Sequence, residues 1–153
     1  MNNQITYEIA KDIYRSMSNS DRLFISPRQN YDKGDKSSLI FRTGDNDCFV
    51  DVYQDLQNED SNYGFIVIGV RPEARGKGLA SKHLRDAIEI AKSKRLDGLI
   101  YKYDKWNIPS EKLVDKFPEF LTVKNDSDSV EKVLDFRKEL IGNLGNWFKR
   151  KFV

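Results

Sequence analysis

The chain has one cysteine, one histidine, no long apolar run and no excess of either charge. Each shortage removes a class of protein. A single thiol, Cys48, cannot close an internal disulfide, and the cytosol is the expected compartment. Within Cys48-Phe49-Val50 that thiol reads as a buried strand residue rather than a nucleophile, because free cysteine behaves as a small hydrophobe. No apolar stretch reaches the roughly 18 residues needed to cross a bilayer. The opening Met1-Asn2-Asn3-Gln4 lacks the basic and apolar regions of a signal peptide. No membrane partner is therefore expected. The 26 basic and 24 acidic residues leave a formal net charge of +2, too little to argue for nucleic acid by itself. Internal repeats and low-complexity linkers are absent, and no metal site is expected.

What is present describes a well-solvated globular chain. At 153 residues, 39% hydrophobic and 33% charged, it reads as one domain over 1–153. A domain of that size buries about two-thirds of the surface of its unfolded chain. Ile5, Ile9, Ile13 and Met17 share a helical face with Tyr14 beside them, and that helix stops near Ser18-Asn19-Ser20. Leu23 to Ser26 is a short strand candidate before Pro27, and Tyr31 to Ser37 a polar loop. Ser38–Thr43 and Cys48–Gln54 read as a hairpin about Gly44-Asp45-Asn46-Asp47. A polar turn over Gln57–Asn62 leads to an apolar, β-branched strand, Tyr63–Val70. A helix from about Gly78 to Ser93 follows, carrying Leu84, Ala87, Ile88 and Ala91 at helical spacing. Then come a strand over Gly98–Tyr103, a short helix over Ser110–Lys116, and a strand pair. The pair is Thr122-Val123 and Val130–Phe136 across Asn125-Asp126-Ser127-Asp128. The lone His83, one turn after Leu79, reads as packing or surface.

The informative stretch is Val70-Arg71-Pro72-Glu73-Ala74-Arg75-Gly76-Lys77-Gly78-Leu79-Ala80. It sets a glycine-containing loop between a strand and a helix. Glycines let backbone N–H groups crowd together, and a helix N-terminus adds unpaired N–H groups and a partial positive charge. The combination suits phosphate or pyrophosphate. A Walker loop is excluded, since Lys77 lies between two glycines rather than before Ser or Thr. A dinucleotide fingerprint fits poorly. Asp104 after the next strand counts in its favour, but residues Arg71 to Arg75 separate the strand from the first glycine, the third glycine position is Ser81, and the chain is short for two mononucleotide halves.

The segment resembles motif A of the GNAT superfamily of N-acetyltransferases, with Val70, Pro72, Arg75, Gly76, Gly78 and Ala80 in place. Downstream, Asn107, Ser110, Leu113 and Lys116 follow part of the family's motif B, and Phe136-Arg137-Lys138-Glu139-Leu140 resembles its last strand. The likeness covers about 63–140. It implies an α/β (α+β) fold with a mixed, mostly antiparallel sheet, two central parallel strands that splay apart, and flanking helices. It implies acetyl-CoA as cofactor. The pyrophosphate would lie on Gly76, Lys77, Gly78, Leu79 and Ala80 with Arg75 and Lys77 adding charge. The pantetheine arm would pair with backbone near Ile68 and Val70. Asn107, Ser110 and Leu113 would line the opposite wall, although Asn107 also reads as a helix cap before Pro109.

The resemblance implies an acetyl-CoA-dependent N-acetyltransferase acting on a primary amine of a small molecule or protein. Three departures follow. No acidic residue lies between Tyr63 and Val70, so Asp51 with Tyr53 on the neighbouring strand is the candidate for polarising the amine, against a plain reading as solvated strand residues. Val114 stands where the family often has a tyrosine acid; Tyr103, or Tyr101, is the candidate substitute. The acceptor pocket does not carry over, because the chain opens with a helix. A non-catalytic CoA-binding module for regulation or interaction stays open as the alternative. So does a toxin-like enzyme acting on aminoacyl-tRNA. The tail at 141–153 holds Trp147-Phe148-Lys149-Arg150-Lys151-Phe152, which could dock on the sheet or a partner subunit, or stack on RNA. Monomer and homodimer both remain open.

Overall fold

The computed structural model describes residues 5–18, 38–54 and 61–137. The expected strand at Leu23–Ser26, the loop at Tyr31–Ser37, most of the turn at Gln57–Asn62 and the 141–153 tail lie outside them. Helix α1, Tyr7–Ser16, starts where the Thr6 hydroxyl accepts the Ile9 N–H at 3.2 Å, with Glu8 in its first turn and Arg15 in its last. The strands are β1 (Leu39–Gly44), β2 (Cys48–Gln54) and β3 (Tyr63–Val70), then β4 (Gly98–Asp104), β5 (Leu121–Asn125) and β6 (Ser129–Asp135). Helix α2 is Leu79–Ser93 and helix α3 is Ile108–Asp115.

The strands make one sheet in the order β1-β2-β3-β4-β6-β5. Every neighbouring pair is antiparallel except β3 and β4. That parallel pair meets only at Tyr63–Gly98, Gly64–Leu99 and Phe65–Ile100, and then parts. Each parted strand keeps its outer neighbour: β3 runs with β2 from Gly64 to Val70, and β4 with β6 from Gly98 to Asp104. The mixed sheet and the central splay expected above are both present.

Alternation along the strands feeds two apolar layers. On one face Phe49, Tyr53 and Val67 pack with Ala10, Ile13, Tyr14 and Met17 of the α1 region. On the other, Val50, Val52, Ile66 and Leu99 pack under Leu84, Ala87, Ile88 and Ala91 of α2. Burying each large aliphatic side chain contributes about 1.5–3 kcal/mol, so these two stripes hold both helices to the sheet. Several boundaries differ from the sequence reading by one or two residues. Helix α3 starts at Ile108, not Ser110, because the Asn107 carboxamide oxygen accepts the Ser110 N–H at 3.2 Å and caps the helix there. Strand β4 runs on to Asp104, and β6 ends at Asp135, before Phe136.

The contact between β3 and β4 requires glycine at its base. A Cβ on Gly98 would lie 2.2 Å from the Leu134 carbonyl oxygen and 2.5 Å from the Tyr63 ring. Overpacking of this kind costs about 1–3 kcal/mol. Gly98→Ala should therefore lower the thermal midpoint by roughly 2–4 °C for each kcal/mol lost. An unchanged midpoint in differential scanning calorimetry would show that the two strands do not approach this closely.

Candidate functional site

Where β3 and β4 part, the sheet opens into a cleft of about 370 Å³. Ile66 and Ile68 of β3 with Tyr101 and Tyr103 of β4 belong to its α2 side, since Ile66, Tyr101 and Tyr103 are in the α2 core. By alternation, Phe65, Val67, Lys102 and Asp104 belong to its α1 side. Met17 lines it from the α1 region and Leu113 from α3, so the opening runs from one helical layer to the other.

The loop above the cleft is shaped by two backbone angles. After the 3-10 turn Pro72–Ala74, Gly76 has φ +80° and Gly78 φ +77°. An added Cβ would meet nothing within 4 Å at either position, so left-handed backbone rather than crowding calls for glycine. Gly78 is the residue before α2 and has no side chain to cap it. The first N–H groups of a 15-residue helix are thus left for an external acceptor.

Ile68, Val70, Arg75, Ala80, Tyr103, Asn107, Ser110 and Leu113, all named from the sequence, line the cleft. Gly76, Lys77 and Gly78 form the loop over it, and Leu79 opens α2. Asp51 does not join them. It is fully buried, and its carboxylate takes two bonds of 2.7 Å from Arg42 and one of 2.9 Å from the Tyr53 hydroxyl. The reading of Asp51 and Tyr53 as solvated strand residues, and of Asp51 as the group that meets an amine, both give way to a closed polar cluster. The sequence reading missed Lys102, Asp104 and Ser129, which the cleft includes. For Lys102 and Asp104 the available signal was alternation with Tyr101 and Tyr103 along β4; Ser129 lies on β6, opposite Asp104.

The tyrosines are poor acids here. Tyr101 is pushed up to about 12, by burial first, although its hydrogen bond to Ser110 works the other way. Its hydroxyl donates to Ser110 Oγ at 2.9 Å. Tyr103 is also raised, by burial and then by the Glu111 and Asp115 carboxylates. Cys48 is fully buried and pushed up to about 12, by burial and then by Asp45 and Asp47, which fits the buried strand thiol read from sequence. Among the described residues no group of three metal-ligating side chains occurs, and no helix is long and apolar enough to cross a membrane.

The sequence matches the Acetyltransferase (GNAT) family over residues 6–117. Among solved structures, the ribosomal-protein-S18-alanine N-acetyltransferase from Escherichia coli is similar at 14% identity with a TM-score of 0.64. That match covers 88% of this chain and 91% of the other. A Salmonella typhimurium protein assigned as an acetyltransferase, solved with its cofactor acetyl-CoA, matches at 19% identity and a TM-score of 0.51. It covers 58% of this chain and 57% of its own. The ribosomal-protein-S5-alanine acetyltransferase from Vibrio fischeri matches at 15% and 0.51, over 58% and 54%. The chain thus spans little over half the length of the last two, and at these identities the likeness is one of fold. No curated protein matches the sequence.

The β1–β2 turn is tied to both ends of the glycine loop. Before the loop, Arg71 donates its N–H to the Asp47 carbonyl at 2.8 Å, Nε to the Asn46 carbonyl at 2.7 Å and Nη2 to Asp12 at 2.7 Å. After it, buried His83 places Nε2 2.8 Å from Asp45. Asp45 also accepts the N–H groups of Asp47 and Cys48. Burial works to raise the Asp45 carboxyl, but the His83 hydrogen bond, the Asp47 N–H, the His83 charge and the Cys48 N–H outweigh it and hold it below its ordinary range. A carboxyl lowered by folding adds stability above its unfolded value, 3.8, and loses it as pH falls through the folded value. Asp45→Ala should cost about 1–3 kcal/mol near neutral pH, mainly by leaving a buried His83 nitrogen without a partner. It should also flatten the loss of stability below about pH 4. Urea melts of both proteins at pH 7 and pH 3 check this, and parallel pH curves would sink it.

Proposed function

The chain belongs to the GNAT acetyltransferase family, and from that premise we propose that it transfers an acetyl group from acetyl-CoA to a primary amine. The observation that supports this most is a strand edge left open directly below a glycine-shaped helix N-terminus. The residues fit the cofactor. The N–H groups of Gly76 to Ala80, with Arg75 and Lys77, suit a pyrophosphate. Among the described residues the β3 edge beyond Phe65 has no strand partner on the β4 side, and it suits an amide-bearing arm laid along it as an extra strand. Ser110, Leu113 and Asn107 form the facing wall. Asn107 spends its oxygen on the helix cap, so its amide N–H group is what it offers.

With phosphates on the glycine loop, the reacting carbon would lie beside the β4 wall, where Tyr103 and Asp104 line the cleft. Acetyl-CoA would supply a thioester carbonyl to the amine nitrogen, an N–C bond replacing the C–S bond and sulfur leaving as thiolate. A lysine-type amine with pKa about 10.4, or an N-terminal one at about 7.7–8, must first lose a proton. Asp104 is the carboxylate on the cleft wall and takes that role, alone or through water, in place of Asp51. Tyr103 stays protonated and offers a hydrogen bond to the departing sulfur; a thiol of pKa about 8.5 is already a fair leaving group. The acceptor is a small molecule or a protein. Buried Val114, which gives no hydroxyl, favours the second reading, a CoA-binding module with little turnover.

Acetyl-CoA at 100 times its dissociation constant should add about 2.7 kcal/mol and raise the thermal midpoint by roughly 5–10 °C. The Arg75→Ala/Lys77→Ala variant should lose most of that shift. Asp104→Asn should keep the shift and lose about 10²–10⁴-fold in kcat over a panel of amines. No shift at millimolar acetyl-CoA would remove the proposal; a shift without turnover of any amine would leave the binding module.

A further inference from the structure

The α1 side of the cleft sets an apolar wall against two opposite charges. Met17, Phe65 and Val67 make the wall, and Lys102, Asp104 and Ser129 face it from β4 and β6. Lys102 and Asp104 are two residues apart on one strand and share a face, roughly 7 Å apart along it. Neither is consumed by the protein. Among the described residues neither makes an ion pair, and Glu131, which lies across from Lys102 on β6, is not paired with it. Asp104 is held in direction, since one carboxylate oxygen accepts the Trp106 N–H at 3.0 Å. Lys102 is exposed and has the reach of its long stem.

Single charges on open surface call for no explanation. Two charges of opposite sign on the wall of a partly apolar cleft, neither held in an ion pair among the described residues, do, because together they complement a ligand that carries both signs. We infer that the acceptor is a small amine that also carries an anionic group, its ammonium drawn by Asp104 and its anion by Lys102. Amino acids are the simplest members of that class. Their apolar portion lies against Met17, Phe65 and Val67. Polycations without an anion meet repulsion from Lys102, and a peptide N-terminus without an acidic side chain beside it brings no anion within reach. The inference rests on the acetyltransferase reading and narrows its acceptor.

The test uses the full chain with glycine, alanine and glutamate, their methyl esters, spermidine and a tripeptide amide. Binding is measured by calorimetry in the presence of CoA, and kcat/KM with acetyl-CoA, for the native protein, Lys102→Ala and Lys102→Glu. The free acids should exceed their esters by about tenfold or more, through KM rather than kcat. Lys102→Ala should abolish that preference and Lys102→Glu reverse it. Esters, spermidine or the amide matching the free acids would overturn the inference, as would a preference that survives both variants. The two layers separate cleanly. Carboxylate-selective binding without turnover keeps the recognition and removes the enzyme; turnover without selectivity keeps the enzyme and removes the recognition; neither binding nor turnover removes both.

Discussion

The hydrogen bonds that β3 and β4 cease to exchange after Phe65 and Ile100 are the constraint on which the rest of the molecule is arranged. Unsatisfied backbone groups are tolerable only where something replaces the lost partner, whether water or a ligand. The parting is affordable structurally because each strand is fully paired on its other side. The sheet is thereby divided into two firm halves, β1-β2-β3 and β4-β6-β5, joined at their base by three residue pairs. Gly98 is needed at that base, where the Leu134 carbonyl and the Tyr63 ring leave no room for a Cβ.

The two halves also handle charge differently. In the first, Arg42, Asp51 and Tyr53 satisfy one another beneath α1, closed off from the cleft. In the second, Lys102 and Asp104 stand on the cleft wall without ion-pair partners among the described residues. A buried group that is already hydrogen-bonded is a poor reagent, because using it means breaking those bonds in a medium that punishes the loss. A charge facing a wet cleft is available at little cost. That difference, more than position along the strand, decides which carboxylate can meet an amine.

Much of this was legible in the sequence, for identifiable reasons. Periodicity placed α1, α2, the hairpin and β3, because each has a long apolar face to bury. The loop was legible because two left-handed residues demand glycine at Gly76 and Gly78. Asp51 was misread because alternation reveals which face a residue occupies, not that a helix closes over that face and that Arg42 on β1 is its cross-strand partner. Asn107 was left between two roles because an amide can cap a helix with its oxygen and still donate from its nitrogen. Alternation along β4 sets Lys102 and Asp104 on one face, but nothing local marks the residue at which two distant strands stop pairing, so Asp104 was weighed only as the acidic residue of a dinucleotide fingerprint.

The Arg42–Asp51 pair has a consequence for how the chain finds its fold. Among the described residues strand β1 is an edge, and its register against β2 already shifts between Leu39 and Phe41. Edge hairpins slide easily, and a slip of one residue turns every side chain to the wrong face. Here such a slip would leave Asp51 buried opposite an uncharged neighbour, and breaking a buried pair costs about 3–5 kcal/mol. The ion pair therefore works as a proofreading device, making the misaligned hairpin a dead end from which the chain retreats rather than a state in which it settles.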